Sequence, residues 1–218
     1  LAIGEYFFGH KDNAERALKF YNKVQEFPES SVYSYARYKA AWCYYNMEQK
    51  ERALDVFIDV VEYARNHPNQ PNAKALIDQV RKDIVMTYAD VGTPSNAMPF
   101  FKDIVSGENE MQKVYEMSER LAVLYSDRAN YDYSNKMYRT LIQKRQKSVK
   151  TVDYQYEIVR NYTSENPYSE ASLKQIIMLM RLVQHAKEGK FEDLNDKKLK
   201  EVNEQVSQLA RQWATRYH

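Results

Sequence analysis

The sequence predicts an all-α chain, folded as a right-handed superhelical solenoid of antiparallel helix pairs that ends in a capping helix. Three observations support this prediction. Glycine and proline are scarce, at 5 and 6 of 218 residues, while residues with high helix propensity dominate. Apolar residues recur at helical spacing between breaks that are spread evenly along the chain. One packing frame also repeats along the chain, and such repetition is typical of stacked helical repeats.

The packing frame is clearest around Ala41, a small residue that serves as its anchor. An apolar residue precedes the anchor, an aromatic follows three residues later, and a small residue follows at twelve. An aromatic at sixteen and an aliphatic at nineteen complete the frame. Small residues let two helix backbones approach closely, and the larger ones fill the space between helices. In this copy the frame residues are Ala40, Tyr44, Ala53, Phe57 and Val60.

Four further copies of the frame extend it over most of the chain. A partial first copy is anchored at Gly4, with one extra turn residue before its second helix. The third and fourth copies are anchored at Val85 and Ala122, and the fifth at Val159. Residues 1–188 are therefore predicted to form about five helix pairs, the first partial and the fifth degenerate. The residues that the second helix of the fifth copy would place in the frame are Ala171, Gln175 and Met178.

Residues 189–218 are predicted to form a linker and one amphipathic helix over 196–217. This helix has no partner helix in the frame, so we expect it to cap the last pair, as the end of a solenoid requires. The same apolar stripe would also suit the start of a further repeat. The stripe consists of Leu199, Val202, Val206, Leu209 and Trp213.

The frame resembles the tetratricopeptide repeat, in which a small residue and an aromatic three positions later precede an Ala-x3-aromatic motif. The resemblance rests on AAWCYY and ALDVF within residues 40–57, and IVMTYADVGTPSNAMPFFKDIV at 84–105 fits nearly as well. The chain departs from the family in its period, which exceeds the usual length of about 34 residues, and at the leading tryptophan. The residues at the tryptophan position are Arg37, Arg81, Ser118 and Gln155.

The resemblance implies a protein that binds a segment of a partner protein in a concave groove lined by the first helix of each pair. A second interpretation stays open, in which the repeats are a purely structural spacer within a longer protein. The groove is expected to run from aromatic through acidic to mixed composition. Its candidate residues are Tyr35, Tyr38, Trp42, Tyr45, Asn46, Lys82, Met86, Glu116, Glu119, Asp127, Tyr156 and Arg160.

Two of these aromatics, Trp42 and Tyr45, fit either the groove or the core between neighbouring pairs. In the groove they would provide a large contact area at low entropic cost, which is typical of interface hot spots. The members of the family that clamp a peptide C-terminal carboxylate need a lysine and an asparagine one turn apart. Here Met86 follows Lys82 by one turn, so that pattern is absent.

Composition argues against several classes of partner and of chemistry. The net charge is +2, from 32 basic and 30 acidic residues that are interspersed, which does not favour nucleic acid as a partner. The most strongly apolar run, IIMLM at 176–180, is too short to span a bilayer. The single cysteine, Cys43, and the four separated histidines do not indicate a metal site. We therefore predict a non-enzymatic protein, with no catalytic residue, metal or cofactor.

A finer resemblance concerns the setting of the protein. YKAAWCYYN with ERALDVFIDVV, the RLAVLYSD segment and the final LARQWATRYH are similar to the long envelope proteins of gliding and predatory Gram-negative bacteria. Those proteins are repeat-rich scaffolds in motility machinery. The resemblance implies the periplasm or cell envelope, with the cytoplasm as the alternative. The chain begins at Leu1 without a methionine, so we expect a piece of a longer protein.

Overall fold

The computed structural model describes residues 1–10, 13–105 and 110–217, with all their side chains except those of 205, 210 and 212–217. The predicted break at 106–109 and His218 lie outside these ranges, and so does the side chain of Trp213. The described ranges contain eleven helices and no strand, so the all-α prediction is confirmed. The helices are α1 Ala2–Phe8, α2 Ala14–Val24, α3 Tyr33–Asn46, α4 Lys50–Asn66, α5 Ala73–Val91, α6 Pro94–Ile104, α7 Glu110–Asp127, α8 Tyr131–Lys144, α9 Lys150–Glu165, α10 Glu170–Lys187 and α11 Asp196–Tyr217.

The helices pack in the order of the chain, each against its neighbours, as a series of adjacent pairs. The chain divides into two compact units, the first over residues 1–121 and the second over 122–218. In the first unit, α1 packs on α2, α3 on α4 and α4 on α5. In the second unit, α8 packs on α9, α9 on α10 and α10 on α11. The predicted arrangement of helix pairs is confirmed within each unit.

The frame residues of the second, third and fourth pairs form the interior of these units. Ala41 and Phe57 are fully buried, and Tyr44 is 7 % exposed. The anchors Val85 and Ala122 are fully buried as well. The cores of these pairs therefore follow the spacing of the sequence. The other buried frame residues are Ala40, Ala53, Val60, Ile84, Tyr88, Ala97, Phe101, Ile104, Leu121, Tyr125, Ser134, Tyr138 and Leu141.

In each of these pairs, the turn between the two helices contains the residue seven positions after the anchor. Glu48 and Ala129 occupy this position with φ of 59° and 57°, in the left-handed region that closes a helix. Gly92 occupies it in the third pair, with φ of −96°. A Cβ on Gly92 would lie 2.3 Å from Cζ of Tyr88, so the ring requires a glycine there. Pro94 then begins α6. The N–H that proline lacks is not needed there, because the first N–H groups of a helix have no partner within the helix.

The second helix of the fifth pair is displaced by one residue from the predicted frame. Ser172 and Leu179 are fully buried, whereas Met178 is 49 % exposed and Ala171 is exposed. The prediction that Ala171 and Met178 pack in the frame is therefore wrong. α10 begins eleven residues after its anchor, whereas α4, α6 and α8 each begin nine residues after theirs. The later start of α10 accompanies the displacement of its side chains from the frame.

The last helix, α11, packs on α10 in the second unit. Val202 is fully buried and Leu209 is 8 % exposed, and both belong to a core that α9 and α10 share. The linker before α11 is held against the start of α9. Asp193 accepts hydrogen bonds from the Val149 N–H at 2.6 Å and from the Ser148 hydroxyl at 2.5 Å. These bonds lower the pKa of the Asp193 carboxyl, although its partial burial opposes them.

Candidate interaction surface

Two tyrosines of α3 connect the second pair to the third in the first unit. The Tyr38 hydroxyl donates to Asp83 at 3.0 Å, and the Tyr45 hydroxyl donates to Asp90 at 2.9 Å. Both acceptors lie on α5, so the first helices of neighbouring pairs are joined directly. Burial raises the pKa of Tyr38 to about 12 and also raises the pKa of the Asp83 carboxyl. Both tyrosines are half-buried, so they have a structural role in addition to any role in binding.

Trp42 lies between the core and the surface. Its ring meets Phe57 of α4 edge-on, with centroids 5.7 Å apart, and meets Tyr45 edge-on at 5.4 Å. The residue is half-buried. Edge-to-face contacts of this kind fix the orientation of a ring. The structure thus gives Trp42 a contact with the core and leaves part of it accessible, so the two interpretations of the sequence each describe part of the residue.

The remaining candidates of α3 and α5 are more accessible. Tyr35 is 41 % exposed, and its ring lies 6.2 Å from that of Tyr38. Asn46 and Lys82 are exposed, and Met86 is half-buried. An opening of about 640 Å³ borders Tyr45 and Asn46, between the end of α3 and the end of α1. This face of the first unit therefore presents aromatic and polar side chains together.

A second opening, of about 410 Å³, lies between α5 and α7 in the first unit. It contains two predicted candidates, Lys82 and Glu116. Sequence reasoning missed three cations that border the same opening, Arg81, Lys113 and Arg120. The surface around Glu116 is therefore of mixed charge rather than acidic. The helical spacing of 113, 116, 117 and 120 would have placed these side chains on one face of α7.

The other candidates lie elsewhere on α7 or in the second unit. Glu119 is half-buried on α7. Asp127, Tyr156 and Arg160 belong to the second unit. Tyr156 packs against the core that α9, α10 and α11 share, and Arg160 is exposed and pairs with Glu157 at 2.9 Å. The surface considered below is the face of α3, α5 and α7 in the first unit.

Groups that could support chemistry are few in the described part of the chain. Cys43 is fully buried, and burial raises the pKa of its thiol to about 12, so the thiolate is scarce at neutral pH. Within residues 1–10, 13–105 and 110–217, no group of histidine, cysteine and carboxylate side chains has the arrangement of a metal site. Among the described helices, none combines the length and the apolar character needed to cross a membrane.

Comparison with known proteins finds a match over one segment of the chain. Residues 35–67 match the model of the tetratricopeptide repeat. The match spans nearly all of α3 and α4, which form the pair where the packing frame is clearest. No curated protein matches the chain. The match supports the tetratricopeptide repeat family, and this family suggests a protein–protein interaction module without enzymatic activity.

Proposed function

We propose that the protein is a non-enzymatic interaction scaffold that binds a segment of a partner protein on the face of α3, α5 and α7 in the first unit. The observation that supports this most is that these helices carry accessible side chains outside the packing frame and that an opening lies between two of them, α5 and α7. Tyr35 is 41 % exposed, and Lys82 and Glu116 border the opening of about 410 Å³. Aromatic and charged residues around a concave site are the usual anchors of a bound peptide.

The rigidity of this face favours binding. Hydrogen bonds from Tyr38 to Asp83 and from Tyr45 to Asp90 fix two of its aromatic rings. The edge-on contact with Phe57 fixes a third ring, that of Trp42. Side chains that are already ordered lose little conformational entropy when a partner binds. The face is thus suited to recognising a segment without rearrangement.

A peptide panel tests the proposal. Peptides of diverse sequence are immobilised, and the binding of the purified chain to each is measured. We expect a subset to bind, and we expect Tyr35→Ala to weaken this binding about tenfold, because an exposed interface tyrosine often contributes more than 1 kcal/mol. The melting temperature should stay within a few degrees, since Tyr35 lies outside the core.

The matched control is Tyr168→Ala, the same change at a residue that is 55 % exposed in the second unit. It should leave peptide binding unchanged. Equal losses in both variants, or no binding of any peptide by the wild-type chain, would contradict the proposal.

A purely structural spacer is the second candidate. It is favoured by the hydrogen bonds of Tyr38 and Tyr45, which use two predicted groove residues to hold neighbouring pairs together. A spacer would show no peptide binding above background, and the changes at Tyr35 and Tyr168 would have no effect on any partner. The same panel therefore separates the two functions.

A place in the periplasm or envelope of a Gram-negative bacterium is proposed on the sequence resemblance alone. Fractionation of the source cells, followed by detection of the chain with an antibody, tests it. Recovery in the periplasmic or membrane fraction is expected, and recovery with the cytoplasmic fraction would contradict it.

A further inference from the structure

The opening between α5 and α7 carries an excess of positive charge. Four cations border it, Arg81, Lys82, Lys113 and Arg120, together with two carboxylates, those of Asp78 and Glu116, which leaves a net charge of +2. Its apolar floor consists of Val85, which is fully buried, and Met117, which is 6 % exposed. A cationic rim over an apolar floor suits an anionic group that is carried on an apolar stem.

Arg81 is the most buried of these cations. Its side chain is 12 % exposed, and its one ion pair among the described residues is with Asp78 at 3.4 Å. Its Nε is buried without a hydrogen-bond partner. Burial and the nearby cation of Arg65 lower the pKa of the guanidinium, although Asp78 opposes them. A buried guanidinium with a single long contact retains most of its capacity to donate hydrogen bonds.

The equivalent residue of the preceding pair provides an internal comparison. Arg37 also lies four residues before its anchor, on α3. Its guanidinium contacts Asp59 at 2.5 Å and donates to the Tyr33 hydroxyl at 3.0 Å. Two of its nitrogens are thus used inside its own pair, whereas Arg81 has only the exposed Asp78. The equivalent position therefore carries an arginine with two partners in one pair and, beside an opening in the next, an arginine with one partner, while the Nε of each is buried without a hydrogen-bond partner.

The other charged groups of the opening are partly engaged. Glu116 accepts a hydrogen bond from Gln112 at 2.8 Å, and the charge of Arg120 acts on the carboxyl of Asp83. Glu116 is exposed, so its negative charge is screened by solvent, while that of a ligand in contact with Arg81 would be screened less. Arg81 is thus the most buried cation of the opening, and its one ion pair among the described residues is the long contact with Asp78.

We propose that this opening binds a glutamate side chain from an acidic segment of the partner protein, with Arg81 as its principal contact. The carboxylate accepts from the guanidinium, the glutamate stem lies against the accessible part of Met117, and Lys82, Lys113 and Arg120 attract the acidic residues beside it. This inference rests on the proposed function, because it specifies the segment that the same face binds.

Two synthetic peptides test the inference, acetyl-hexaglutamate amide and acetyl-hexaglutamine amide. Both ends are blocked, so only side-chain carboxylates can bind. Titration into the isotopically labelled chain, followed by nuclear magnetic resonance, gives the dissociation constants. We expect the glutamate peptide to bind at least about tenfold more tightly than the glutamine peptide, with an affinity that falls as salt rises.

Variants then locate the binding. Arg81→Gln should weaken hexaglutamate binding about tenfold. The double change Lys82→Gln with Arg120→Gln should weaken hexaglutamate binding as well. Both residues are exposed, so the double variant should fold even if Arg81→Gln unfolds the chain. The control is Arg16→Gln, an equal loss of charge at an exposed position of α2 outside the opening. It should leave the affinity within about twofold of wild type.

The outcomes separate this inference from the proposed function. Equal weakening in Arg81→Gln and Arg16→Gln would overturn it, because binding would then follow net charge. Binding of neutral peptides from the panel without binding of hexaglutamate would overturn it and leave the proposed function intact. Absence of binding by every peptide would overturn both. Inorganic phosphate that binds more tightly than hexaglutamate, and depends on Arg81, would assign the site to a phosphate group and overturn the choice of a carboxylate.

Discussion

Asn161 of α9 is the centre of a buried polar network in the second unit. It is 1 % exposed, and its amide nitrogen donates to the Ser134 hydroxyl and to Asn135 Oδ1, both at 2.9 Å. Its amide oxygen accepts from the Ser126 hydroxyl at 2.6 Å. The side chain therefore connects α7, α8 and α9. In the sequence, Asn161-Tyr-Thr163 has the form of a glycosylation site, but this asparagine is not accessible to such a modification.

Removal of the Asn161 amide should destabilise the protein. Asn161→Ala leaves the buried side chains of Ser134 and Asn135 without their partner, and an unsatisfied buried polar group costs about 1–3 kcal/mol. We expect the free energy of unfolding to fall by about 3 kcal/mol, measured by urea denaturation. Asn69→Ala, at an exposed loop position, should change it by less than about 0.5 kcal/mol. Similar values for the two variants would show that the network contributes little.

At the scale of the helix, the fifth pair shows how a degenerate copy stays packed. Gln155 occupies the position of the leading tryptophan and is 2 % exposed. Its amide nitrogen donates to the backbone oxygen and to Oε1 of Gln175, both at 3.1 Å. A buried glutamine thus stands at the position of the family's tryptophan, and the bonds to Gln175 give its amide nitrogen two acceptors in the interior.

The one-residue displacement of α10 can be tested with two neighbouring substitutions. Leu179 is fully buried, so Leu179→Ala should lower the free energy of unfolding by about 3 kcal/mol through the lost apolar contacts and the cavity. Met178 is 49 % exposed, so Met178→Ala should lower it by less than about 1 kcal/mol. Chemical denaturation of both variants measures the difference. A larger loss of stability in Met178→Ala than in Leu179→Ala would instead support the frame spacing that the sequence predicts.

The sequence predicts helix pairs well because their cores depend on periodicity, which is local. Anchors such as Ala41 and Val85 are buried because small and large residues alternate at fixed distances on two joined helices. The displacement of α10 was not predictable in the same way. It depends on where the connection 166–169 lets the next helix begin, and the turn residues allow more than one such position.

The candidate site was predicted less completely than the fold. Helical spacing gives the direction of a side chain but not its depth, so it could not show that Trp42 is half-buried against Phe57. Arg81 stood at a frame position and was interpreted as a departure from the tryptophan of the family. Its place beside an opening depends on α7, which is distant in the sequence, and only the folded chain brings the two helices together there.

At the scale of the whole molecule, the large number of tyrosines makes the free energy of unfolding sensitive to alkaline pH. The chain has 19 tyrosines, and many of them contribute to the interior. Burial raises the pKa of Tyr38 and of Cys43 to about 12, and it is the largest cause of the raised pKa of several other phenols. Those phenols belong to Tyr21, Tyr35, Tyr63 and Tyr88. All of these groups retain their proton longer in the folded chain than in the unfolded one.

We therefore expect the protein to lose stability as pH rises from about 8 to about 12. Below about pH 8 these groups are largely protonated in both states, so their contribution is fully present. Above that pH the unfolded chain releases protons that the folded chain keeps, and unfolding becomes more favourable as pH rises towards 12. Melting temperatures measured by circular dichroism from pH 8 to pH 11.5 should fall steadily, and absorbance at 295 nm should show phenols that ionise only on unfolding. Tyr38→Phe should reduce the slope, whereas the exposed Tyr168→Phe should follow wild type. A melting temperature that stays constant over this range would show that burial does not hold these protons.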